Sequence, residues 1–202
     1  MNGELRARLD ALLATGQRRI LGIVGAPGAG KSTLAAQVAE VAGARAVVVP
    51  MDGFHLAQSE LERLGRADRK GAPDTFDAAG YVALLRRLRD EDGPVYAPEY
   101  RRDLKNGIAG AIAVPADVPL VVTEGNYLLL DRHGFAPVAG LLDESWFVAL
   151  PDEVRLARLV ARHEAFGKSP EAARAWSHGP DEVNARLVAA TAHRADVVVE
   201  GL

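Results

Sequence analysis

Residues Gly25, Ala26, Pro27, Gly28, Ala29, Gly30, Lys31 and Ser32 fill every fixed position of the pattern G-x-x-x-x-G-K-[ST]. Residue types at this spacing suit phosphate chemistry. Glycines let backbone N–H groups turn inward around an anion. Lys31 adds a point charge able to follow terminal phosphates, and Ser32 offers a hydroxyl to Mg²⁺. Thr33 completes the expected phosphate-binding set. A helix starting here would place its positive end against the same anion.

Two carboxylates stand where they could join this chemistry. Asp52 follows the apolar run Val47-Val48-Val49-Pro50. It could take the proton of an incoming hydroxyl or reach Mg²⁺ through water. Asp52-Gly53 is also a common turn pair, and its place at a strand end favours the chemical role. Glu124 ends the run Leu120-Val121-Val122-Thr123, the position of an acid that orients a magnesium shell; the alternative is a solvent-facing strand-end acid. Arg155, Arg158 and Arg162 share a helical face and suit a lid over transferring phosphate, or an exposed basic face. On the substrate side, His55, Tyr100, Arg101, Lys105, Asn126 and Tyr127 are the candidates. Tyr96 to Arg102 reads as an irregular aromatic and basic stretch. His133, His163, His178 and His193 show no metal-ligand spacing.

The flanks of these groups alternate between strand and helix patterns. Arg19 to Gly25 reads as a strand, and Leu34, Ala35, Val38, Val41 and Ala42 recur at helical spacing after the loop. Further strands are expected at about 44–50, 119–123, 145–150 and 196–199, with short ones at 94–97 and 110–114. Helices are expected at about 4–15, 56–65, 77–89, 152 onward with Asp152 as N-cap, 170–177 and 181–193. Such alternation predicts a doubly wound α/β domain with a mainly parallel sheet of about five strands. Ligands bind such sheets at the carboxyl ends of their strands. Loop 25–32, Asp52 and Glu124 all lie at such ends.

Composition narrows the function classes. The 202 residues fit one domain, and 49% hydrophobic content suffices for a core. The net charge of −3 argues against nucleic-acid binding. There is no cysteine, so disulfides, thiolate metal sites and Cys nucleophiles are excluded. Met1 to Arg6 lacks a signal-peptide pattern, and no apolar run is long enough to span a membrane; a cytoplasmic protein is expected. There are twenty arginines and only four lysines, at 31, 70, 105 and 168. A coding bias toward Arg weakens an argument from any single Arg and strengthens one from a Lys.

Taken in order, the motifs resemble the uridine kinase, phosphoribulokinase and bacterial pantothenate kinase group of P-loop kinases. The resemblance runs from the phosphate loop to about Arg162. It is carried by residues 25–32, Asp52-Gly53-Phe54, Pro73-Asp74-Thr75-Phe76-Asp77, Pro98-Glu99-Tyr100, Glu124-Gly125 and the Arg155, Arg158, Arg162 series. Pro50 to His55, Arg69 to Pro73 and Glu124 to Leu129 are most similar to a subgroup described as nucleoside or nucleotide kinase-like, or as fructose-transport-associated kinases. The resemblance implies a P-loop NTPase-type three-layer fold with a small helical lid, as one domain over 1–202 with insertions at about 54–114 and 155–178. It implies ATP and Mg²⁺, Asp52 activating an acceptor hydroxyl, Glu124 associated with magnesium, Arg158 and Arg162 as lid arginines, and Tyr100 lining the acceptor pocket. Lys105 stands where uridine kinases carry a histidine, and His163 where they carry an acid, which argues against recognition of uridine; Lys105 with the basic run Arg101-Arg102 would instead favour an acidic or already phosphorylated acceptor.

The expected activity is phosphoryl transfer from ATP to a hydroxyl of a nucleoside, sugar or vitamin-like metabolite. Lys31, Asp52, Arg158 and Arg162 would carry the chemistry. The expected partner is that small acceptor, with a homodimer also compatible. The rival reading is a nucleotide-dependent regulator with no small-molecule acceptor.

Overall fold

Strands that are apolar at every residue need cover on both faces. The computed structural model, which describes residues 1–200, supplies that cover. Numbered in chain order, β1 (Arg19–Gly25), β2 (Ala46–Pro50), β5 (Leu120–Gly125), β6 (Glu144–Ala149) and β7 (Val197–Glu200) form one parallel sheet in the order β2-β5-β1-β6-β7. Leu21, Ile23, Leu120, Val122, Trp146 and Val148 face one side. There they meet Leu5, Leu9 and Leu12 of α1 (Gly3–Leu13) and Leu34, Ala35 and Val38 of α2 (Lys31–Ala42). Ile20, Val24, Val121 and Phe147 face the other side, against α4 (Ala78–Asp90), Phe135 and Val188 of α7 (Pro180–Ala189). Burying each large aliphatic side chain contributes about 1.5–3 kcal/mol. The result is the expected three-layer α/β arrangement.

Register sets the site. Glu124 lies opposite Ile23 on one side and Pro50 on the other. The phosphate loop, Asp52 and Glu124 therefore leave the sheet at one edge, on three adjacent strands. Thr123 Oγ1 donates to the Val49 carbonyl at 2.7 Å, which leaves it to accept from the buried Tyr81 hydroxyl at 2.7 Å. That chain of bonds ties β2, β5 and α4 together one residue before Glu124.

Several expectations change. The stretch read as two short strands with irregular chain between is a continuous antiparallel hairpin, β3 (Val95–Arg101) with β4 (Asn106–Val114), with a register shift between Ala97 and Glu99. Its second strand, Asn-Gly-Ile-Ala-Gly-Ala-Ile-Ala-Val, is rich in Gly and Ala and mostly exposed, so it carries little strand signal. The helix expected at 56–65 is shorter. A 3₁₀ turn over Met51–Phe54 comes first, and α3 spans Gln58–Arg63. Pro151, not Asp152, is the N-cap of α5 (Asp152–Ala165); Asp152 instead accepts from the Arg155 Nε at 3.0 Å. The helix α6 covers Pro170–His178.

The hairpin is fixed to the Asp52 turn through backbone. A Cβ added to Gly53 would collide with the Pro98 carbonyl of β3, and one added to Gly107 of β4 would collide with the Gly53 carbonyl. Gly53 has no positive φ. It is needed for close approach between chains rather than for a turn.

Candidate active site

The phosphate loop is the most local part of the site. Gly28 and Gly30 have φ of 82° and 100°, conformations that disfavour any side chain. Asn2, Asp77 and Ser169 cap α1, α4 and α6 with side-chain oxygens. The N-cap of α2 is Gly30, and no side chain caps that helix. Its first N–H groups are thus left for an anion.

Lys31 is buried and, among the described residues, makes no ion pair. Its Nζ donates to Asn126 Oδ1 at 2.8 Å and to the Ala26 carbonyl at 3.1 Å. Burial holds its pKa below the ordinary lysine value, opposed by the charges of Glu124 and Asp52. Ser32 Oγ donates to Glu124 Oε1 at 2.8 Å. Burial, then the neighbouring Asp52 charge, pushes the Glu124 carboxyl above its usual range. The site therefore holds a buried cation and a hydroxyl–carboxylate pair at an open helix end. That donor set suits triphosphate with Mg²⁺, which keeps waters and takes one or two protein ligands. Among the described residues no cluster of three or more His, Cys, Asp or Glu could hold a metal by itself.

A cavity of ≈ 470 Å³ joins this wall to the hairpin. Lys31, Ser32, Asp52, Glu124, Asn126 and Arg162 line it on the phosphate side; His55, Tyr100, Lys105 and Lys70 line the other. His55 Nδ1 lies 2.8 Å from the Asp52 carbonyl. A carbonyl only accepts, so Nδ1 carries the proton and Nε2 of the neutral ring is an acceptor. Burial pushes the His55 pKa down, which favours this neutral form. The ring packs against Phe76 and Tyr100, with centroids 4.0 and 4.7 Å away.

The remaining candidates divide. Asn126 lines the cavity but is held by Lys31, so it belongs to the phosphate wall. Tyr127 does not reach the cavity lining; its ring is fully buried between Phe76 and Phe135, and its hydroxyl donates to the Gly71 carbonyl. Arg101 points away and pairs with Asp103 at 2.8 Å. Arg102 takes the place expected of Arg101, lining the cavity with Nη2 4.0 Å from Asp52 Oδ2. Arg101 ends β3 with its side chain toward Asp103, while Arg102 opens the turn that follows and lines the cavity together with Tyr100.

The arginine series on α5 keeps one face but changes depth. Arg155 is 2% exposed and bound to Asp152 and Glu182 of α7, so it is a buried clamp rather than part of a lid. Arg158 is exposed, with Nη1 3.5 Å from where a Cβ on Gly30 would lie. Arg162 is half-buried at the cavity, where burial and Arg102 lower its pKa. His163 also lines the cavity and lies 2.7 Å from Asp181 Oδ2. Spacing between histidines gave no sign of it, because its partner comes from another helix. The rarity of lysine was a usable sign: all four lysines of the chain, at 31, 70, 105 and 168, line this one cavity.

The model of the Phosphoribulokinase / Uridine kinase family matches residues 20–202. The chain belongs to that family. YggC of Escherichia coli K12 is 34% identical over 191 residues, covering 91% of this chain and 78% of YggC. A Schizosaccharomyces pombe protein named as a candidate uridine kinase is 31% identical over 211 residues, covering 98% of this chain and 90% of its own. The crystal structure of a candidate fructose transport system kinase from Silicibacter sp. TM1040 is 36% identical, with a TM-score of 0.88 and coverage of 98% and 99%. This chain is accordingly a small-molecule kinase, transferring a phosphoryl group from ATP to a hydroxyl of a small metabolite. No helix among the described residues is long and apolar enough to cross a membrane.

Proposed function

We propose that Asp52 is the group that orients the acceptor hydroxyl and takes its proton, and that Lys31, Arg158 and Arg162 spread the charge of the transferring phosphoryl group. The observation that carries this reading is the single cavity that joins Lys31, Ser32 and Glu124 to Asp52, His55 and Tyr100. Bound Mg²⁺-ATP supplies the electrophilic phosphorus and a metal charge on its phosphate oxygens. Ser32 and Glu124 would hold that metal, and the N–H groups of Gly28 to Thr33 would cradle the phosphates. Lys31 is kept aimed by Asn126 and the Ala26 carbonyl, so its charge is in place before substrate arrives. Asp52 is held on a 3₁₀ turn clamped by the hairpin, which fixes its approach to the hydroxyl. His55 Nε2 offers an acceptor for a second hydroxyl of the same molecule. The lid would be the segment of about 155–178, anchored at its base by the buried Arg155, with Phe166 to Lys168 lining the cavity.

The test mixes protein, Mg²⁺-ATP and a panel of sugars, nucleosides, hydroxy acids and vitamin-like alcohols. Acceptor-stimulated ADP release is expected, abolished by chelating the metal. ADP release that no acceptor stimulates would instead support a nucleotide-dependent regulator.

A further inference from the structure

The four lysines are the unusual cations of this chain. Among the described residues, every ion pair uses an arginine or His163, and none uses a lysine. Lys31 already has a phosphate role, and Lys168 lies 4.3 Å from the Trp176 ring centroid. Lys70 and Lys105 have no such account. They come from separate segments, the loop before Pro73 and the tip of the β3–β4 hairpin, and meet at the far side of the cavity.

Their meeting is built. Lys70 Nζ donates to the Lys105 carbonyl at 2.7 Å and lies 5.6 Å from the Tyr100 ring centroid. Asn106 Oδ1 accepts from the Gln58 backbone N–H at 3.0 Å, tying the hairpin tip to α3. Lys105 has φ of 53°, a left-handed conformation that glycine or asparagine adopts more easily. Strain of this kind at a side chain lining a ligand cavity points to a use for that side chain. Burial and the charge of Lys105 both lower the Lys70 pKa, as expected of two like charges without a counter-ion. Several acids of the surrounding segments are engaged elsewhere: Asp74 pairs with Arg66 and Arg69, Asp103 with Arg101, and Asp181 with His163.

We propose that the acceptor carries an anionic group of its own, a phosphate monoester or a carboxylate, and that Lys70 and Lys105 bind it while its hydroxyl faces Asp52. This deepens the kinase reading and rests on it. Between the two ends lie Tyr100 and His55, an apolar face and a hydroxyl-directed acceptor, which fit a short hydroxylated carbon chain. The substrate class is then sugar phosphates or sugar and hydroxy acids, rather than neutral nucleosides.

The experiment uses full-length protein saturated with Mg²⁺ and adenylyl imidodiphosphate, which fills the nucleotide phosphate site. Inorganic phosphate and acetate are titrated separately by calorimetry into wild type, Lys105→Gly and Lys70→Met. Glycine relaxes the φ at position 105, so that variant should fold at least as well as wild type. Saturable binding of one anion is expected, weakened about tenfold or more in each variant, since charge-assisted bonds of this kind carry most of such affinity. Phosphate binding selects a phosphate ester as acceptor, and acetate binding selects a carboxylate. No saturable binding of either anion, or equal binding in all three proteins, overturns the inference and leaves the kinase reading standing. Failure of the nucleotide analogue itself to bind would bring down the kinase reading and this inference with it.

Discussion

The two walls of the cavity are built by different means. The phosphate wall is local: nine consecutive residues, Gly25 to Thr33, plus Glu124 and Asn126 from the adjacent strand end. Its binding groups are mostly backbone N–H groups, and its geometry follows from two positive-φ glycines. The acceptor wall draws His55, Lys70, Tyr100, Arg102, Lys105 and His163 from four separate segments. Its groups are side chains, and only tertiary packing brings them together. A ligand common to many enzymes is held by main chain, which substitution cannot easily alter. A ligand particular to one enzyme is held by side chains, which substitution alters readily.

Asp52 belongs to both walls, so its replacement should have the largest effect. Asp52→Asn is expected to lower kcat by about two to four orders of magnitude, the range for losing a positioned base. The dissociation constant of the ATP analogue should stay within a few-fold of wild type. Near-normal turnover in this variant would remove Asp52 from the chemistry.

Gly53→Ala probes the joint between the walls. The new methyl has no room against the Pro98 carbonyl, so hairpin and turn must separate. A displacement of about 1 Å at the acceptor wall is expected to lower kcat/KM for the acceptor about a hundredfold. Nucleotide-analogue affinity, measured in parallel, should change little. Equal losses on both sides would mean that the two walls do not move independently.

The smallest expected effect concerns the phosphate wall alone and has the opposite sign. The folded pKa of Glu124 is raised above its ordinary value of 4.5. A carboxyl of this kind favours the fold at pH below its unfolded pKa, and that contribution is lost as pH rises through the folded value. Above that raised value the ionised Glu124 therefore destabilises the protein without ligand. Glu124→Gln should raise stability by about 1 kcal/mol on the alkaline side of it, with the gain vanishing toward acid pH, while turnover falls. Thermal unfolding across pH measures it, and a variant that loses stability relative to wild type as pH rises would contradict the assignment.

The same division explains what the sequence reveals. The phosphate loop, Asp52, Glu124 and the parallel sheet were legible because motif, flanking strand and flanking helix lie within a few residues of each other. The hairpin was not, because Gly and Ala along residues 106–114 carry no alternation. Without the end of β3 at Arg101, the turn that brings Arg102 to the cavity could not be read. Tyr127 follows Asn126 directly, yet one enters the core and the other faces Lys31. Arg155 matches its neighbours on α5 in spacing, but only the partner helix α7 shows that it is buried.

The joint at Gly53, Pro98 and Gly107 also bears on how such an enzyme changes its acceptor over generations. Two stretches of main chain meet there with no side chain between them. Lys105 at the hairpin tip can therefore be exchanged without re-aiming Asp52, whereas Arg102 lies against its carboxylate. A single codon change at position 105 would alter what is recognised while the transfer geometry persists. The fold thus offers a replaceable tip on a fixed mount, and related chains carrying different tips should accept one another's hairpins by grafting.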